Sequence, residues 1–144
     1  MGAGILTNYL CREKDNSPLT AAAPLACHFD TFKAMEFLSQ KFYGLYDYGL
    51  AYFCKSGARC YFRYYDELIV KHYPDRVAVE ENERVMTLSG DFSRLVARVS
   101  GYRSVKEYFS DCTVTHRLKD VKVPSFFLSA VDDPLYGPYV IPYD

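Results

Sequence analysis

The stretch Val121-Lys-Val-Pro-Ser-Phe-Phe-Leu-Ser-Ala-Val-Asp-Asp-Pro134 limits the possible folds more than any other: an apolar run of strand type stops at two carboxylates and a proline. In parallel α/β sheets, ligands bind just beyond the carboxyl ends of the strands, so such a strand delivers Asp132 and Asp133 to the place where chemistry is done. Asp-Pro is also an ordinary turn pair, and a solvated turn is the plainer reading.

Upstream, Leu19 to Cys27 is apolar and short for a helix, and reads as a second buried strand despite Pro24. Before it, Gly4 to about Lys14 reads as a helix with Ile5, Leu6, Tyr9 and Leu10 on its apolar face. Asp30 is placed to cap a helix running through Phe42, with Phe32, Met35, Leu38 and Phe42 as its stripe. Further helical stretches are expected at about Leu45 to Cys54 and Arg59 to His72, and Tyr73 to Thr87 reads as a loop or insertion. Asp91 is expected to cap a short helix bearing Phe92, Leu95, Val96 and Val99, with Gly101 at its end. Ser104-Val-Lys-Glu107 has the form of a capping box, and His116 to Val121 leads into the final strand. A strand-to-strand crossover needs only a dozen or more residues. The long helical excursion therefore reads as a lid, over about residues 31–112, inserted in a parallel sheet.

Composition narrows the function. With 144 residues and 49% apolar content the chain suits one globular domain. A net charge of −1 offers no basic field for phosphates, so nucleic acid is not an expected partner. No apolar run approaches the roughly 18 residues that span a bilayer, and the chain is expected to be soluble or peripheral, in the cytoplasm. Five scattered cysteines, Cys11, Cys27, Cys54, Cys60 and Cys112, suggest free thiols rather than a disulfide framework. Fourteen tyrosines and ten phenylalanines with no tryptophan, many between Phe37 and Tyr73, point either to an exposed apolar surface for a ligand, lipid or protein, or to an aromatic core.

Three blocks together resemble the α/β-hydrolase superfamily, most closely its branch of YheT-type esterases and eukaryotic abhydrolase-domain lipid hydrolases (embryogenesis-associated proteins, AB hydrolase 4). Met1-Gly-Ala-Gly-Ile-Leu-Thr-Asn-Tyr-Leu10 is similar to the helix that follows that branch's nucleophile elbow, Gly-x-Ser-Met-Gly. Leu19 to Asp30 resembles its next strand and Ser/Cys-x-Phe-Asp loop. Gly101-Tyr-Arg-Ser-Val-Lys-Glu-Tyr108, His116 to Pro124 and Ala130-Val-Asp-Asp-Pro134 resemble the block from the lid exit to the catalytic acid. The resemblance implies a partial α/β-hydrolase domain over residues 1–144 and carboxylic-ester hydrolysis, with an acyl ester or lipid, such as an acylglycerol or phospholipid, as the substrate of the full-length family. It implies no cofactor and no metal. Eukaryotic members often carry a membrane anchor.

Acyl transfer on this fold needs a serine on a strained turn, a histidine base and a carboxylate that orients the histidine. The resemblance gives the acid role to Asp133, with Asp132 as the alternative, and gives Met1 the position whose backbone N–H completes the oxyanion hole. The serine would stand just before Met1 and the histidine beyond Asp144, so neither is in this chain. The chain is thus expected to be a fragment, inactive alone, since losing a triad nucleophile costs on the order of 10⁶ in turnover. A competing reading is a non-catalytic lipid-binding or protein-docking module, and an exposed sheet edge would invite self-association. His28 beside Cys27 is a poor catalytic pair, because neighbours on an extended chain point to opposite faces. His72, His116, Ser110 and Ser129 have no catalytic context, and Cys54, Cys60 and His72 do not match zinc spacing.

Overall fold

The structure is a computed structural model that describes residues 2–54, 56–57 and 87–143. The chain divides into two compact units, Met1–Phe37 with Phe109–Asp144, and Leu38–Tyr108.

In the first unit, helix α1 (Gly2–Glu13) forms where expected, but its buried face is Gly4, Thr7, Leu10 and Cys11. Of the predicted apolar face only Leu10 is buried, and Ile5 is 71% exposed. The reason is close approach: small side chains let the segment around His28 press against the helix. A Cβ on Gly4 would stand 2.5 Å from His28 Cε1, and Thr7 Oγ1 lies 3.4 Å from Cys27 Sγ. Cys11, Cys27, Phe29 and Val114 form the core, with Ala3, Leu118, Val121 and Phe127 packed on it.

The two expected buried strands require correction. Among the described residues the parallel pairing consists of two isolated bridges, Ala22 with Ser125 and Leu25 with Leu128, and no continuous strand. The hydrogen bonds explain this. Ala22 N–H donates to Pro124 O, Phe126 N–H to Ala22 O, Leu128 N–H to Pro24 O and Ala26 N–H to Leu128 O. This is one parallel register with a single rung missing, at Pro24, which has no N–H to donate. Ala26 then adopts the left-handed conformation, φ 52°, which ends the pairing before Cys27. Each segment is buried on one side only: Pro24 and Val123 are buried and Phe127 packs on the core, whereas Leu25, Phe126 and Leu128 are exposed.

Beyond the pairing, Asp30 caps α2 (Thr31–Gln40) as expected, its Oδ1 accepting from Lys33 N–H at 3.1 Å. The buried residues of α2 are Thr31, Ala34 and Leu38; of the predicted stripe Leu38 is buried and Met35 half-buried, whereas Phe32 and Phe42 are exposed. Helix α5 (Val105–Cys112) returns the chain to the first unit. Phe29 O accepts from the N–H groups of Val114 and Thr115 and from the Thr115 hydroxyl. Arg12 Nη2 lies 2.6 Å from both Asp111 oxygens, and Asn8 donates to Asp111 O. A 3₁₀ turn, Thr115–Asp120, precedes the second bridged segment.

In the second unit α2 ends at Gln40, short of Phe42, because Phe42, Tyr43 and Gly44 all have positive φ. Helix α3 follows over 45–54, where predicted. Its buried residues are Asp47 and Ala51, while Leu45, Tyr46, Tyr48, Tyr52 and Phe53 face solvent. Of the two readings of this aromatic stretch, exposure holds for the described part. Thr87, not Asp91, caps the next helical segment: its side chain accepts from Asp91 N–H, across a π turn at Leu88–Phe92 that runs into α4 (Ser93–Val99). Asp91 instead returns the bond, its Oδ2 accepting from Thr87 N–H, so the pair makes a capping box widened by one residue. Gly101 ends α4 with φ 88° as expected. At α5, Ser104 Oγ accepts from Glu107 N–H, whereas Glu107 reaches one residue further back, to Arg103 N–H. The helix expected at Arg59 to His72, with Cys60, lies outside the described residues, as does the stretch from Tyr73 up to Thr87.

Candidate active site

Asp133 sits in a tight turn just past the second bridged segment. Pro134 carries no N–H, so the first donors available to the carboxylate are the next two: Asp133 Oδ1 accepts from Leu135 N–H at 2.8 Å and from Tyr136 N–H at 3.3 Å. Its own N–H reaches Ala130 O, and its carbonyl accepts from Gly137 N–H. Among the described residues Oδ2 accepts no hydrogen bond. Asp133 is half-buried, whereas Asp132 is exposed. One oxygen is thus fixed by the backbone while the other stays available, an arrangement that suits a carboxylate meant to orient a partner.

Tyr136 extends the site. Its ring stacks on His28 with centroids 5.3 Å apart and planes 26° from parallel. Burial raises the Tyr136 phenol above its usual range, and the Asp133 charge adds to that. Burial also lowers the His28 pKa, which favours the neutral imidazole. Its Nδ1 is buried and has no hydrogen-bond partner among the described residues. Under the turn lies a small hollow of about 10 Å³ bordered by Cys27, Ser129, Ala130, Asp133 and Tyr136. Only a single water approaches that size.

The other candidates separate in space or in chemistry. Cys27 faces Thr7 while His28 faces Tyr136, and burial raises the Cys27 thiol pKa, so it stays protonated. Burial raises Cys11 and Cys54 likewise, and Cys11, Cys27, Cys54 and Cys112 are free thiols. Ser129 Oγ is buried without a partner among the described residues, and Ser110 and His116 are exposed. Met1 and His72 lie outside the described residues. Among the described residues no three His, Cys, Asp or Glu side chains gather to hold a metal, and no helix is long and apolar enough to cross a membrane. Sequence reasoning missed Tyr136 and the stacking of His28. Only the shared register of the bridged segments brings positions 28 and 136 together.

No family model and no solved structure matches the chain. Curated relatives do. It is 26% identical to phospholipase ABHD3 of Mus musculus over 148 residues, covering 100% of this chain and 33% of that protein. It is 26% identical to the monoacylglycerol lipase of Saccharomyces cerevisiae, covering 95% of this chain and 30% of that protein. To an abhydrolase domain-containing protein of Dictyostelium discoideum it is 22% identical, over 94% of this chain. By sequence the chain is a relative of the α/β-hydrolase lipases and phospholipases. It spans about a third of the length of the curated relatives it matches.

Proposed function

We propose that these residues form the acid-bearing and lid-bearing part of a serine hydrolase that cleaves acyl esters of lipids. In this reading the two bridged segments are neighbouring strands of a parallel sheet, residues 31–112 are the inserted lid, and Asp133 orients a histidine supplied by another part of the protein. The supporting observation is the Asp133 turn: a half-buried carboxylate beyond the carboxyl end of a parallel-paired segment, with Oδ1 held by two amides and Oδ2 open. The relatives' names supply the substrate class, a phospholipid or a monoacylglycerol ester. A second reading, a lipid-binding or protein-docking module without catalysis, draws on the exposed rings of α3.

The 144 residues hold no Gly-x-Ser-x-Gly, so the purified chain is expected to take no saturable label from a fluorophosphonate probe; stoichiometric labelling would overturn this. In the polypeptide read from the whole transcript, Asp133→Asn is expected to lower kcat on a short-chain acyl ester about 10⁴-fold, as loss of a triad acid does. Asp132→Asn should stay close to wild type. Equal losses, or no loss at Asp133, would defeat the assignment, and a transcript encoding no elbow serine would favour the second reading.

A further inference from the structure

We propose that His28 and Tyr136 are positioning residues, their stacked rings fixing the acid-bearing turn against the amino-terminal half of α1. The proposal rests on the reading of Asp133 as the orienting carboxylate. Tyr136 contributes twice: its backbone N–H is one of the two donors to Asp133 Oδ1, and its ring lies on His28. His28 in turn lies across Gly4, where a Cβ would meet Cε1 at 2.5 Å. A continuous line of contact therefore runs from α1 through Gly4, His28 and Tyr136 to the carboxylate oxygen. In a triad a misplacement of about 1 Å can cost about 10²-fold in rate, so a rigid link of this kind has a function to serve.

The imidazole serves here as a flat body. Among the described residues its buried Nδ1 has no hydrogen-bond partner, while the ring face carries the contact with Tyr136. Aromatic pairs prefer a small set of offset-stacked or edge-to-face arrangements, a directional preference that aliphatic side chains lack. Glycine at position 4 follows from the same geometry, because any larger side chain would push the imidazole off its seat.

Amide hydrogen exchange on the 144-residue protein tests the link without any need for catalysis. His28→Ala is expected to speed exchange at Leu135 and Tyr136 by about tenfold or more, as local opening of the turn requires, while Thr113 and Tyr102 stay protected. His28→Phe should restore slow exchange at both, and Gly4→Ala should reproduce the His28→Ala pattern. Should His28→Ala fail to fold, Tyr136→Leu decides, since it keeps the backbone donor and removes the flat face. Unchanged exchange at Leu135 in that variant, or exchange in His28→Phe as fast as in His28→Ala, would overturn the proposal. Failure of the Asp133 assignment would show instead in the kcat of the Asp133→Asn variant and leave these exchange rates as they are.

Discussion

The unit built from Met1–Phe37 and Phe109–Asp144 joins its two distant segments through many small links. These are a four-bond parallel ladder, a carbonyl at Phe29 that takes three donors, and the contacts of Asn8 and Arg12 with Asp111. Among its described residues the Leu38–Tyr108 unit has a small apolar cluster, Ala51 and Leu95 with Leu88 and Phe92 against them, and beside it a buried carboxylate. Asp47 is 2% exposed and accepts from Leu88 N–H, Ser89 N–H and Ser89 Oγ, satisfying amino-terminal donors of the π turn that leads into α4. The first unit should tolerate losing any single link; the second should not tolerate losing Asp47.

The largest expected effect tests that contrast directly. Asp47→Ala strands two amides and a hydroxyl, at a cost of about 3 kcal/mol, and should strip exchange protection from Ser100 and Tyr102 while Val114 keeps its own. Equal loss in both units would break the contrast. Asp47→Asn retains an acceptor and should fall between.

A smaller effect concerns the first unit and pH. Because burial lowers the His28 pKa below its ordinary value of 6.5, the unfolded chain takes up a proton that the folded chain resists. Stability is therefore full above pH 6.5 and falls as pH drops from there, by at most about 1.4 kcal/mol per pH unit, the slope for one proton. Urea titrations of wild type and His28→Phe between pH 7.5 and 5 should diverge accordingly. Parallel curves would mean that the imidazole protonates freely in the fold.

The smallest effect belongs to Arg12→Ala. Its pairing with Asp111 is more than half exposed on the arginine side, so the loss should be about 0.5 kcal/mol and should shrink further in salt. A loss several times larger, seen in the same denaturant titration, would show that the first unit also hangs on one contact.

Much of the local structure was legible in the residues, and the misses share a cause. The α1 span, the Asp30 cap, the Ser104 cap and the Gly101 stop each depend on neighbours within a turn or so, and each was found from local chemistry. The buried faces of α1 and α2 were read in part: Leu10 and Leu38 are buried as expected, but periodicity weighs residues by apolarity and passed over Gly4 and Thr7, which close approach selected. Asp91 and Thr87 were exchanged as cap because a π turn widens the spacing by one residue, which no 3.6-residue pattern anticipates. In the candidate site the strand-end context singled out the pair Asp132 and Asp133, and the choice of Asp133 rested on resemblance; the two amides that hold its Oδ1 belong to a turn that the sequence did not spell out.

What the sequence determined by itself was the order of elements, the acid turn after an apolar run and the kinship with α/β-hydrolases, because these are carried by residues near one another along the chain. Which faces are buried, how Pro24 splits the ladder and why a neutral histidine meets Tyr136 beside Asp133 were decided only in three dimensions. Those outcomes depend on contacts between segments about a hundred positions apart, and on the cost of leaving buried polar groups without partners.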